Sequence, residues 1–147
     1  MKKFKFRLEK VLQHRMMIQG EKLRAFSLVM RKQREAEEHV VFLEHEFEVN
    51  RIKDGETFLV EEIHIRGSYN ERLKSEIQNQ KETILKLQKE VEEARLAYIE
   101  ATREVEVLEK LKERKQDAHK EMVTKLEDAF IDELVTQRAR FTAHSKE

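Results

Sequence analysis

Apolar residues recur at alternating spacings of three and four along two long stretches of the chain. The first stretch runs from Leu8 to Asn50 and the second from Leu73 to Leu108, where only Gln80 interrupts the apolar series. This spacing places the apolar side chains on one face of an α-helix and is typical of coiled coils. Two such stretches joined by one break predict an all-α protein, folded as a long antiparallel coiled-coil hairpin of two helices.

The break between the stretches contains two candidate turns, Asp54-Gly55 and the run from Arg66 to Asn70. We favour a turn at about 54–58, because apolar positions in register with the second stretch continue backward to Leu59. The chain is then a single coiled-coil domain over residues 1–147. Its parts are helix 1 at about 5–53, helix 2 at about 59–138 with Gly67 as the site where it could kink, and a frayed tail at 139–147.

A turn at this place makes the second helix longer than the first. In an antiparallel hairpin Leu8 then lies near residues 103–105, so that residues beyond about 107 extend past the N-terminus. A lone helix of about 30 residues is only marginally stable in water. We therefore expect this extension to be frayed, docked in a partner or paired with another copy through its apolar residues, Met122, Leu126, Phe130 and Leu134.

The composition contains almost nothing that breaks a helix, since proline is absent and glycine occurs only at Gly20, Gly55 and Gly67. The absence of cysteine excludes a disulfide scaffold and a thiolate metal site. No apolar run approaches the roughly 20 residues that span a bilayer. We expect a soluble, cytoplasmic protein that is complete from its first residue and has no direct membrane insertion.

Charge is unevenly distributed although the net charge is zero. Residues 1–35 hold eleven Lys or Arg against three Glu, whereas residues 36–65 hold two against nine Asp or Glu. Basic side chains at a helix N-terminus oppose the helix dipole, so local helix stability does not explain them. They are either a solvated end or a contact for an acidic or phosphate-bearing partner, and the neighbouring Phe4 and Phe6 favour a protein partner.

Three polar residues, Arg15, Gln19 and Lys22, occupy consecutive positions of the first apolar stretch. In one interpretation the stripe changes phase, and Met16 and Leu23 take over the packing. In the other, the polar side chains face a partner or fix the register of the two helices, as polar residues in a coiled-coil seam can do.

Enzymatic chemistry needs convergent polar groups in a concave site, and a two-helix protein offers little concavity. The sequence has no glycine-rich phosphate loop. Glu61-x-x-His64 matches one step of a di-iron motif but lacks the second copy that such a site needs, so a solvated histidine is the better interpretation. We expect no catalytic residue, no metal site and no cofactor.

Two segments of the chain resemble the signature segments of the flagellar export protein FliJ family: Phe4–Arg15 and Leu108–Lys115. The resemblance spans essentially the whole chain. It implies a non-enzymatic stalk of the flagellar type III export apparatus, similar to the central rotor subunit of rotary ATPases. The partners that the resemblance implies are the hexameric export ATPase, whose assembly and activity the stalk promotes, the membrane export gate and export chaperones. The resemblance also implies a cytoplasmic protein that is peripherally associated with the inner membrane at the flagellar basal body.

The resemblance also implies two sets of contact residues. Those for the ATPase ring are Phe4, Phe6, Leu8, Leu12, Arg15, Leu108, Leu111, Arg114 and Lys115. Those for the export gate are His39, Leu43, Glu46, Asn50, Tyr69 and Leu73, although Glu46 and Asn50 stand where the family can have aromatic residues.

Two other functions remain open. One is a plain structural coiled-coil tether that dimerises through residues 107–138. The other is nucleic-acid binding by the basic first helix. Acidic side chains among the basic ones, and the lack of polar residues suited to reading bases, argue against this last function, so we expect no nucleic-acid partner.

Overall fold

Two helices form nearly all of the regular structure in the computed structural model of the chain, which describes residues 3–53 and 55–146. Helix α1 spans Glu9–Val49 and helix α2 spans Val60–His144. No strand occurs within the described ranges. The chain divides into two compact units: unit 1 comprises the described parts of Met1–Met17 and Thr102–Glu147, and unit 2 is Ile18–Ala101.

Unit 2 is a hairpin in which α1 and α2 run antiparallel. The ring of Phe26 lies 6.4 Å from that of Tyr98, and nearer the connection the side-chain amide of Asn70 donates a hydrogen bond of 3.2 Å to the carbonyl of Asn50. The apolar side chains at the positions that the periodicity predicts face inward and form a seam between the two helices. Its most buried side chains are Val40, Leu43, Leu73 and Ala101.

Unit 1 pairs the start of α1 with α2 in the same antiparallel sense. Arg15 Nη1 lies 2.7 Å from Glu104 Oε2, and Lys112 Nζ lies 2.8 Å from Glu9 Oε2. Leu12 is buried within this unit. The predicted all-α class and the antiparallel pairing of two helices are therefore confirmed.

The connection between the helices occupies residues 50–59. Gly55 has a φ of +89°, a left-handed conformation that glycine adopts without a steric clash of Cβ. Asp54, the other half of the favoured turn, lies outside the described residues. The alternative turn at 66–70 lies inside α2, and the guanidinium of Arg66 is 4.2 Å from the centroid of the Phe58 ring. The connection thus folds back against the beginning of α2.

The helix boundaries differ from the predicted ones. Helix α1 begins at Glu9 rather than near residue 5. It ends at Val49 rather than near 53, because Asn50 turns its side-chain amide onto the carbonyl of Glu46 at 2.9 Å and closes the helix there. Helix α2 continues to His144 rather than stopping near 138, since neither glycine nor proline follows Gly67.

The predicted register is wrong. Leu8 was expected near residues 103–105, but in unit 1 it shares a pocket with Leu111. Within unit 2 the pairing near the connection also differs from the prediction, because Asn50 accepts a hydrogen bond from Asn70, which lies ten residues after the start of α2. Periodicity fixes which face of a helix is apolar, but it does not fix the path of an irregular connection.

None of the helices in the described part of the chain combines the length and the apolar character that crossing a membrane requires.

Candidate partner-binding surface

Residues 3–6 lie outside helix α1, and their burial alternates along the chain. Phe4 and Phe6 are half-buried, whereas Lys3, Lys5 and Arg7 are exposed. Alternation with a period of two fits an extended chain, in which successive side chains point to opposite sides. This segment therefore turns its two aromatic rings toward the protein and its basic side chains toward solvent. We call residues 3–7 the N-terminal arm.

The N-terminal arm packs against α2 and forms a pocket within unit 1. The Phe4 ring lies 5.7 Å from the His119 ring, in a tilted arrangement that aromatic pairs favour. The pocket has a volume of about 620 Å³. We call it the N-terminal pocket, and its lining residues are Phe4, Lys5, Phe6, Arg7, Leu8, Leu111, Lys115, Ala118, His119 and Met122.

Two ion pairs hold the start of α1 against α2 within unit 1. The Lys112 ammonium, with a smaller contribution from the side-chain amide of Gln13, holds the pKa of Glu9 below its ordinary value. The Arg15 to Glu104 pair joins side chains that are 41% and 43% exposed, so solvent weakens it. Both pairs still favour one register over its neighbours, since a shift of either helix would separate the charges.

The N-terminal pocket has a basic rim, since Lys5, Arg7 and Lys115 line it and are exposed. Lys3 and Arg114, the chain neighbours of Phe4 and Lys115, are also exposed, and none of these five side chains forms an ion pair with another residue in the described ranges. An apolar pocket with an uncompensated basic rim is complementary to a partner segment that carries apolar side chains beside acidic ones.

The ATPase-contact candidates occupy three different environments. Leu12 is only 2% exposed, so it packs the interior of unit 1 rather than a partner. Arg15 is engaged with Glu104. The remaining candidates are accessible: Phe4, Phe6, Leu8, Leu108 and Leu111 are half-buried, and Arg114 and Lys115 are exposed. The two sequence segments thus meet in one unit, but the accessible surface lacks Leu12.

The gate-contact candidates lie in unit 2, and several of them have internal roles. Leu43 and Leu73 are each 4% exposed, and the carbonyl of Asn50 accepts the hydrogen bond of Asn70. Half-buried Glu46 supplies the carbonyl on which the Asn50 side chain closes α1. Glu46 and Asn50 are half-buried, and the two fully exposed candidates are His39 and Tyr69.

His39 belongs to a small exposed cluster that the sequence interpretation missed. Its Nε2 lies 3.4 Å from Glu76 Oε1, and its ring stacks near that of Phe42, with 6.4 Å between the centroids. Phe42 falls between the stripe positions Val40 and Leu43, so periodicity gives no reason to single it out. An exposed aromatic beside a histidine is nevertheless a better contact than a buried leucine.

His119 and Ala118 of the N-terminal pocket were also missed. They lie where the second apolar stretch weakens, so the periodic pattern alone does not mark them. The sequence feature that points to them is the alternation of phenylalanine with basic residues in the N-terminal arm. It indicates an extended segment whose aromatic side packs against another surface of the protein.

The polar interruption of the first stretch has a partial explanation. Met16 and Leu23 are 38% and 44% exposed, so they do not take over the packing as a change of phase requires. Arg15 instead reaches Glu104 across the pair. For Arg15 the structure supports the interpretation in which a polar side chain helps fix the register.

The end of α2 contrasts with the N-terminal pocket. Every described residue from 124 to 146 is exposed, and we call this range the C-terminal segment. Within the described ranges, no group of three or more His, Asp or Glu side chains is placed to hold a metal ion.

Comparison with known proteins gives a match to a family model described as flagellar FliJ protein, which covers residues 4–142. No curated protein matches the chain, and no solved structure matches it.

Proposed function

The chain belongs to the flagellar FliJ family, whose members are components of the flagellar export apparatus, and from this premise we propose that it is a non-enzymatic stalk for the export ATPase. It binds the hexameric ATPase through unit 1, promotes assembly and activity of the ring, and couples the ring to the membrane export gate. It also handles export chaperones, and it resides at the cytoplasmic side of the flagellar basal body.

The observation that carries the ATPase proposal is the N-terminal pocket. Both sequence segments that resemble the family signatures contribute to it, Phe4–Arg15 through the N-terminal arm and Leu108–Lys115 through Leu111 and Lys115. A pocket of this kind can hold an apolar side chain of the ring while the basic rim attracts acidic residues around it. No covalent chemistry is needed for such a role.

For the export gate we propose the exposed surface around His39, Phe42 and Tyr69 in unit 2. Phe42 is 56% exposed, and aromatic side chains contribute strongly when a partner buries them. Leu43 and Leu73 support this surface from beneath rather than contacting the gate themselves.

The test of the ATPase role is the double variant Arg114→Glu, Lys115→Glu, which reverses the charge of Lys115, a residue of the pocket, and of its neighbour Arg114. Both side chains are exposed and lack an ion-pair partner among the described residues, so helicity should be unchanged. Stimulation of the export ATPase and motility should both be lost, because the rim would then repel acidic residues of the ring.

The matched control is Lys86→Glu, Lys89→Glu, which makes the same charge change at exposed positions of α2 in unit 2. This control should retain stimulation. Normal stimulation by the Arg114, Lys115 variant, with circular dichroism showing intact helix, contradicts the proposal.

A further inference from the structure

The C-terminal segment carries apolar side chains that no described residue covers. Leu126 is 55% exposed, Phe130 62%, Leu134 49% and Phe141 78%. At 3.6 residues per turn these four residues fall within about 80° of the helix circumference. A helix of a soluble protein normally packs such a stripe against another surface, because most of the stability of helices in proteins comes from packing of the apolar face.

The charges of the C-terminal segment are arranged in two blocks. Residues 125–133 contain four acidic side chains against one basic, whereas residues 134–146 contain three basic side chains and no acidic one. An antiparallel copy of the same helix therefore sets each acidic block opposite a basic block. A parallel copy sets like charges opposite each other.

The charges on one flank of the stripe agree with the antiparallel arrangement. On a regular helix Glu127 and Arg138 lie on one flank of the stripe, and Glu133 and Arg140 lie on the other. When two identical helices pair about a twofold axis and run antiparallel, equivalent flanks meet. Glu127 of one copy then faces Arg138 of the other, and parallel pairing would lose this match.

We propose that the C-terminal segment is an interface with a second copy of this chain, packed antiparallel through Leu126, Phe130, Leu134 and Phe141. This pairing is independent of the export role, since it uses a different part of unit 1 from the N-terminal pocket. Because two short helices bury a modest area, the dimer forms reversibly and depends on protein concentration.

The test is sedimentation of the full chain over a concentration series from about 1 to about 100 µM, a range that separates weak from moderate dimers. The wild-type chain should shift from monomer to dimer within this range. Phe130→Glu places a charge in the stripe and should weaken dimerisation by at least about tenfold.

The matched control is Val135→Glu. Val135 is 63% exposed, nearly the same as Phe130, but it lies on the opposite side of the helix from the stripe. This variant should dimerise like the wild type, and circular dichroism should show equal helicity for the two variants. Equal weakening by Val135→Glu and Phe130→Glu overturns the proposal.

A second pair of variants tests the direction of pairing. Arg138→Glu should weaken the dimer, because Glu127 of the other copy would face a like charge. Adding Glu127→Arg restores opposite charges across the interface and should recover the dimer. Failure of the double variant to recover contradicts the antiparallel arrangement.

A wild-type chain that stays monomeric throughout the concentration series also overturns the proposal. If the Phe130→Glu variant of that monomeric chain loses binding to the export ATPase, the stripe belongs to an interface with a different protein.

Discussion

The apolar seam of unit 2 and the C-terminal segment carry the same kind of helical pattern with opposite outcomes. Leu43 and Leu73 are each 4% exposed, whereas Leu134 and Phe130 are 49% and 62% exposed. Spacing at three and four residues marks a face that favours burial, but it does not say which surface buries it. In unit 2 the covering surface is the other helix of the chain, and for the C-terminal segment we propose a second copy.

The strongest test of this difference is to replace one leucine by alanine in each region. Leu43→Ala leaves a cavity in the seam of unit 2 and should cost about 2–4 kcal/mol of unfolding free energy. Leu134→Ala should change it by less than about 0.5 kcal/mol in the monomer, because its side chain is already in water. Urea unfolding followed by circular dichroism at low micromolar concentration measures both.

A similar loss for the two variants would show that the C-terminal segment is packed in the monomer. A stable Leu43→Ala variant would show that the seam can close around the missing side chain. Either result removes the distinction between the covered and the uncovered stripe.

The two apolar stretches predicted the all-α class, and the single short break between them predicted that the chain folds back into an antiparallel pair. The stripe did not predict the register. Register depends on the connection at 50–59, where Gly55 turns with positive φ and Arg66 lies against Phe58. These are contacts of irregular backbone, and hydrophobic periodicity carries no information about them.

The candidate surface was predicted in part. Both signature segments meet in unit 1, as the antiparallel hairpin requires. The N-terminal arm was interpreted as helix, although the alternation from Lys3 to Arg7 fits an extended chain, and this hid the contribution of His119 to the pocket. Leu12 was selected by resemblance, and only the packing shows that it is buried.

A double-mutant cycle on Arg15 and Glu104 tests whether their ion pair helps fix the register of the two helices in unit 1. Their side chains are 41% and 43% exposed, so the coupling free energy should be about 0.5 kcal/mol, as expected for a partly solvated pair. Urea unfolding of Arg15→Ala, Glu104→Ala and the double variant measures it.

The control pair for this cycle is Lys74 with Glu71, which are 3.5 Å apart on one helix and more exposed. This pair reports local helix stability alone and should couple more weakly. A larger coupling for Lys74 with Glu71 than for Arg15 with Glu104 would show that the pair across the helices does not help fix the register.

The smallest expected effect is the pH dependence of the Glu9 to Lys112 pair. Because the folded state lowers the pKa of Glu9 below 4.5, the pair stabilises the fold above that pH, and its contribution is lost as the pH falls through the lowered value. Titration of the Glu9 carboxyl by nuclear magnetic resonance should show the lowered pKa in the wild type and a rise toward 4.5 in Lys112→Ala.

Glu92 is the internal control, because its pKa is lowered by Arg95 on the same helix and should not respond to Lys112→Ala. An unchanged Glu9 pKa in that variant would mean that contacts within α1, rather than the pairing of the two helices, set its ionisation.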